Sequence, residues 1–150
     1  MSRLGGQRRF IYEKVLEVYK MVKMAKNNKL TYISLFSSAG VGCFGFKENG
    51  FECIATNEII ERRLNIQRSN NKCLFNSGYI GGDILTSEVH NKIHDEIKLW
   101  KNKFNMESVD VLISTPPCQG MSVANHKKNN EVPRNSSIIV TLRLTSEIMP

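Results

Sequence analysis

Six residues, Val109-Asp110-Val111-Leu112-Ile113-Ser114, are mostly branched and apolar, and they stop at Thr115-Pro116-Pro117. A short run without a polar face suits a strand covered on both sides, as strands are in parallel sheets flanked by helices. The prolines end it, because each removes a backbone donor and pushes the preceding residue into extended backbone. Similar runs come earlier. TYISLF (31–36) halts at Ser37-Ser38-Ala39-Gly40, FECIATNE (51–58) ends in an acid, and Tyr79-Ile80 precede Gly81-Gly82-Asp83. Between these runs the spacing predicts helices over 41–49, closed by Gly50, over 59–70, and over 87–104 with Val89, Ile93, Ile97 and Trp100 on one stripe. A polar loop at about 120–134 leads to a last helix, SSIIVTLRLTSEIM (136–149). Strands alternating with helices predict an α/β fold with a doubly wound, mainly parallel sheet.

At 150 residues the chain has the size of one domain. No apolar run approaches the roughly 20 residues of a membrane span, and the first residues lack the apolar core of a signal peptide. Cys43, Cys53, Cys73 and Cys118 stand far apart with no CxxC pair, which points to a reducing, cytoplasmic compartment rather than a disulfide framework. Charge divides the chain. Residues 1–30 hold eight Lys and Arg against Glu13 and Glu17, so +6 of the net +7 lies there. This segment reads as a basic extension, helical over about 8–27 with Ile11, Val15, Val18 and Val22 on one stripe, ahead of a domain at 31–150. It suits contact with a polyanion such as DNA, or else it is a solvated basic helix face.

Ligands of doubly wound sheets bind beyond the carboxyl ends of the strands, and here each strand ends in reactive or ligand-binding residue types. The first strand meets Gly40-Val41-Gly42-Cys43-Phe44-Gly45, a GxGxxG string where a backbone can approach a nucleotide or simply turn into a helix. Glu58 stands where an acid can hold ribose hydroxyls, or where the start of a helix favours any acid. Asp83 either closes a turn or accepts from an amino group. The fourth strand delivers Pro116-Pro117-Cys118-Gln119-Gly120, a thiol held extended by two prolines and freed by a glycine, which reads as a nucleophile. His90 and His94 have the i, i+4 spacing that zinc can use, but no third ligand stands near, so no metal is expected.

TYISLFSSAGVGCFGFKENGFECIATNE, then GGDI, then VDVLISTPPCQGMS resemble the opening motifs of the DNA cytosine-5 methyltransferases. The resemblance runs from Tyr32 to Pro150, with Arg134-Asn135-Ser136 similar to the segment that opens the family's next helix. It implies a Rossmann-like S-adenosylmethionine-dependent methyltransferase fold. It also implies cofactor contacts at Phe36, Ser37, Gly40, Glu58, Asp83 and Pro116. Cys118 would be the nucleophile, framed by Pro117 and Gln119, with Ser122 near the catalytic loop, and double-stranded DNA the substrate, acted on beside the bacterial nucleoid.

The family's Glu-Asn-Val segment, recognition region and closing helix have no counterpart in these 150 residues. After Cys118 the acids are Glu131 and Glu147, and neither precedes Asn-Val. The expectation is therefore a fragment or one subunit, inactive alone and completed by a second polypeptide. Two other readings fit less of the sequence: a non-enzymatic cofactor- or DNA-binding fragment, and a nicotinamide-dependent oxidoreductase, which leaves Pro-Pro-Cys-Gln unexplained.

Overall fold

A computed structural model describes residues 13–14, 17–18, 29–117 and 132–148, with side chains in the last segment from residue 137 onward. Four strands, β1 (Thr31–Leu35), β2 (Glu52–Glu58), β3 (Tyr79–Gly81) and β4 (Val111–Ser114), form one sheet in the order β3-β2-β1-β4. Every neighbouring pair is parallel. The helices are α1 (Phe44–Glu48), α2 (Glu61–Ser69), α3 (Ser87–Phe104) and α4 (Val132–Ile148), with 3-10 turns at Val41–Cys43 and Asn76–Gly78.

The chain steps from β1 outward to β2 and β3, then returns to place β4 on the other side of β1. That reversal is the topological switch point of a doubly wound sheet. All five residues of β1 are buried, as a strand covered on both faces requires. One face packs Ile33, Leu35, Ile54 and Ile80 against Val89, Ile93, Ile97 and Trp100 of α3 and Leu144 of α4. The other packs Tyr32, Cys53 and Tyr79 against Cys43 and Leu64, with Phe46 of α1 alongside. Each fully buried side chain of this kind contributes about 1.5–3 kcal/mol.

The register slips between Tyr32 and Ile33, which face Cys53 and Ala55, so Ile54 is an extra residue in β2. Ile54 and Ala55 consequently both join the α3 side of the core, which strict alternation forbids. The bulge brings the Ile54 carbonyl against Gly78, where a Cβ would sit 2.5 Å from that oxygen. α3 occupies the residues that its stripe predicts. α4 begins at Val132, earlier than the expected 136, because Pro133 falls in the first turn, where a missing N–H costs nothing. Of the helix expected over 8–27, Glu13, Lys14, Glu17 and Val18 are helical, Lys14 pairs with Glu17 at 3.0 Å and Val18 is more than half exposed. The rest of that helix lies outside the described residues.

Among the described residues no helix is long and apolar enough to cross a membrane.

Candidate active site at the carboxyl edge of the sheet

The four strand ends open into one cleft of about 520 Å³. Phe36 and Ser38 reach it from the end of β1, Asn57 and Glu58 from β2, Asp83 from the turn after β3 and Pro117 from beyond β4. The sequence expectation thus converges on one place for Phe36, Glu58, Asp83 and Pro117. Cys118 and Gln119, which follow Pro117, lie outside the described residues, as does Ser122. Pro116 is half-buried and does not line the cleft.

The loop after β1 has an unusual backbone. Phe36 (φ 54°), Ser38 (φ 50°) and Gly40 (φ 86°) are all left-handed. For non-glycine residues this conformation costs on the order of 1–3 kcal/mol, and it persists where the surroundings dictate it. Those surroundings are visible. Glu58, 4 % exposed, accepts from Ser38 N at 2.8 Å and Ile60 N at 3.0 Å, with the Arg63 guanidinium 3.5 Å away. Thr115 Oγ1 donates to the Phe36 carbonyl at 3.1 Å, tying the loop to the chain beyond β4. Asn57 donates from Nδ2 to the carbonyls of Ile80 and Gly82, each at 3.1 Å, which fixes the turn that presents Asp83. Asp83 itself is exposed, and its carboxylate accepts within its own turn, from Leu85 N at 3.0 Å.

Two expected residues sit behind this loop rather than in the cleft. The Ser37 hydroxyl is buried and donates to the Asn57 carbonyl at 3.0 Å. Gly40 lines a second hollow of about 590 Å³ on the loop's other side, with Tyr32, Val41, Phe44, Lys47 and Lys72. Among the described residues no carboxylate lines that hollow. Sequence reasoning missed the apolar walls of the first cleft, Ile59, Ile84 and Leu85, and the side chain of Ser137 on α4. Ile59 follows Glu58 directly and is 64 % exposed in the fold, which the sequence alone does not mark.

His90 and His94 make contacts within the fold. His90 Nε2 lies 2.6 Å from the Ile84 carbonyl, and His94 Nε2 lies 3.3 Å from Glu147 of α4. Among the described residues no cluster of three or more His, Cys, Asp or Glu forms a metal site.

A parallel sheet wound in both directions from β1, with a carboxylate-bearing cleft at its switch point, defines a Rossmann-like α/β domain. Residues 30–150 match the C-5 cytosine-specific DNA methylase family, and the chain belongs to it. It is 34 % identical over 124 residues to the Type II methyltransferase M1.HgaI of Avibacterium volantium, covering 79 % of this chain and 31 % of that protein. To the Type II methyltransferase M.AquIA of Picosynechococcus sp. it is 31 % identical over 118 residues, covering 79 % and 44 %. To the Type II methyltransferase M1.HphI of Haemophilus parahaemolyticus it is 33 % identical over 95 residues, covering 63 % and 23 %. The chain therefore spans less than half the length of these relatives.

Proposed function

We propose that this chain is the cofactor-binding and nucleophile-bearing part of a DNA (cytosine-5) methyltransferase of a restriction-modification system, working in the cytoplasm on nucleoid DNA. The observation that carries this reading is the convergence of Phe36, Glu58, Asp83 and Pro117 on one cleft. Its chemistry suits S-adenosylmethionine. Phe36, Ile59, Ile84 and Leu85 offer apolar walls for a purine, while Glu58 and Asp83 offer carboxylates to ribose hydroxyls and an amino group. When bound, that cofactor supplies an electrophilic methyl group.

This chain's own share is the nucleophile. Cys118, as thiolate, adds to carbon 6 of a cytosine turned out of the duplex, which makes carbon 5 electron-rich enough to take the methyl group. Loss of the carbon 5 proton then lets the sulfur leave and restores the thiolate. Pro117 holds the backbone ahead of the thiol, and Gln119 frames it on the other side. Protonation of cytosine nitrogen 3 would assist the addition, and Glu147 is not placed for it, since it lies against His94 rather than along the cleft. That acid, and the reading of DNA sequence, come in this proposal from further polypeptide, in the same chain or a second one. The basic segment at 1–30 adds phosphate contacts.

The test is transfer of tritiated methyl from S-adenosylmethionine to mixed-sequence duplex DNA. We expect incorporation when the 150 residues are combined with a fragment bearing the family's remaining motifs, and its loss on Cys118→Ser. General acid catalysis typically contributes about 10²–10⁴-fold, so the chain alone falls short by at least that much. Robust transfer by the chain alone overturns the division of labour, and no transfer by the combination overturns the function.

A further inference from the structure

Gln67 is a glutamine in the last turn of α2, 1 % exposed, which lies outside the cleft and borders the second hollow behind the loop. Its amide is fully engaged. Nε2 donates to the Ser38 carbonyl at 2.6 Å and to Ser37 Oγ at 2.9 Å, and Oε1 accepts from Thr56 Oγ1 at 2.8 Å. The direction of every proton in this chain follows from its ends. Lys72 Nζ can only donate, and it reaches Thr56 Oγ1 at 3.0 Å, so the Thr56 hydroxyl turns toward Gln67. The Ser38 and Asn57 carbonyls can only accept, so Gln67 and then the Ser37 hydroxyl donate onward. The network thus runs one way, from Lys72 through Thr56, Gln67 and Ser37 to Asn57, whose amide holds Gly82 beside Asp83. Aligned chains of this kind reinforce each bond.

We propose that Gln67 is a positioning residue: it holds the strained loop at 36–40 from behind, in the shape that the cleft requires. Glu58 grips the Ser38 N–H from the cleft side, and Gln67 grips the Ser38 carbonyl from the other. One residue in left-handed backbone is therefore fixed at both of its polar groups. The packing is equally close, since a Cβ at Gly40 would lie 3.1 Å from Gln67 Cγ. Neither a shorter amide nor a branched side chain fills this place. Resting on the function proposed above, Gln67 sets the affinity for S-adenosylmethionine without touching it.

The test compares Gln67→Met, which keeps length and loses every hydrogen bond, with Gln67→Glu, which keeps acceptance from Thr56 and loses donation to the loop. Ser37→Ala serves as a milder variant that leaves α2 untouched. Three readouts are taken on the 150-residue chain: amide hydrogen exchange across residues 36–42 and across β2, the thermal midpoint, and S-adenosylmethionine affinity by titration calorimetry. We expect both Gln67 variants to weaken binding about tenfold or more. Exchange at 36–42 should rise well beyond that in β2, and Ser37→Ala should show a smaller change of the same pattern. Adding Ser37→Ala to Gln67→Met should cost less than Ser37→Ala does alone, because only the bond to the Asn57 carbonyl is left to lose. Unchanged loop exchange, or a rise shared equally by β2, overturns the positioning role. If the unaltered chain binds no S-adenosylmethionine, the proposed function fails, while the exchange pattern still decides the role of Gln67.

Discussion

Cys43, Cys53 and Cys73 all lie in the core, none more than 5 % exposed. Cys53 and Cys73 sit with their sulfurs 3.6 Å apart, and burial pushes the Cys73 thiol up. Neighbouring Cys73 and Lys72 leave Cys53 lower than an ordinary thiol despite its burial. Core packing shields both from reagent, however, and accessibility governs alkylation as much as thiolate content. Limiting iodoacetamide at neutral pH should therefore label Cys118 first, read by mass spectrometry of the tryptic peptides. Earlier labelling of a core cysteine would remove the case for Cys118 as the exposed nucleophile. Glu58 and Asp83 also separate at this scale. Glu58→Ala strips two backbone N–H groups of their acceptor, a loss of about 1–3 kcal/mol, so it should lower the melting midpoint as well as cofactor affinity. Asp83→Ala should abolish S-adenosylmethionine binding in calorimetry while leaving the midpoint nearly unchanged, because its carboxylate supports only its own turn.

Among the elements, α3 was fully legible, since its stripe of Val89, Ile93, Ile97 and Trp100 is all buried. So was the doubly wound, mainly parallel class of the sheet, because runs closed by Ser-Ser, Asn-Glu and Pro-Pro alternate with helices. The bulge in β2 was not, as nothing local in ECIATNE marks Ile54 as the extra residue, whose carbonyl meets Gly78 from the chain ahead of β3. Gln67 was illegible for a similar reason. α2 has only one other buried residue, Leu64, so a glutamine three positions on reads as solvated until Ser37 and Thr56 are brought to it by the fold. The start of α4 was misplaced because Pro133 looked like a loop residue. Glycines give the sharpest check on this scale. Gly78→Ala must move the Ile54 carbonyl and should cost about 1–3 kcal/mol in denaturant unfolding, whereas Gly42→Ala meets nothing within 4 Å. The second change should be neutral or stabilising, by up to about 1 kcal/mol, through the unfolded chain.

At the scale of the molecule, among the described residues the sheet closes on one side with short β3 and leaves β4 paired to β1 alone. Among the described residues the outer edge of Val111, Leu112 and Ile113 has no strand beside it, and an edge in that state is one along which strands recruit another strand. Acid stability has its own origin. Glu96 of α3 is 3 % exposed; burial raises its carboxyl above the usual range, partly offset by hydrogen bonds from Ser77 and Trp100 and by the charge of Lys103. A raised value in the fold means that the proton is bound more tightly there than in the unfolded chain. Its stabilising contribution is full below the unfolded carboxyl's range and is lost as pH rises through the folded value. Glu96→Gln should accordingly raise the thermal midpoint by a few degrees at pH 7 and leave it unchanged near pH 3. An equal effect at both pH values would assign the gain to packing.

The loop at 36–40 is also a party wall. Phe36 and Ser38 form one side, facing the carboxylate cleft, and Ala39 and Gly40 form the other, facing the hollow beside Tyr32 and Lys72. A wall held at both faces by Glu58 and Gln67 does not yield on one side alone. Whatever seats against Gly40, whether a helix, a loop or a small molecule, acts on the same backbone that the proposed cofactor cleft is made of. By linkage, any change it makes in cofactor affinity is returned to it in equal measure when the cofactor binds.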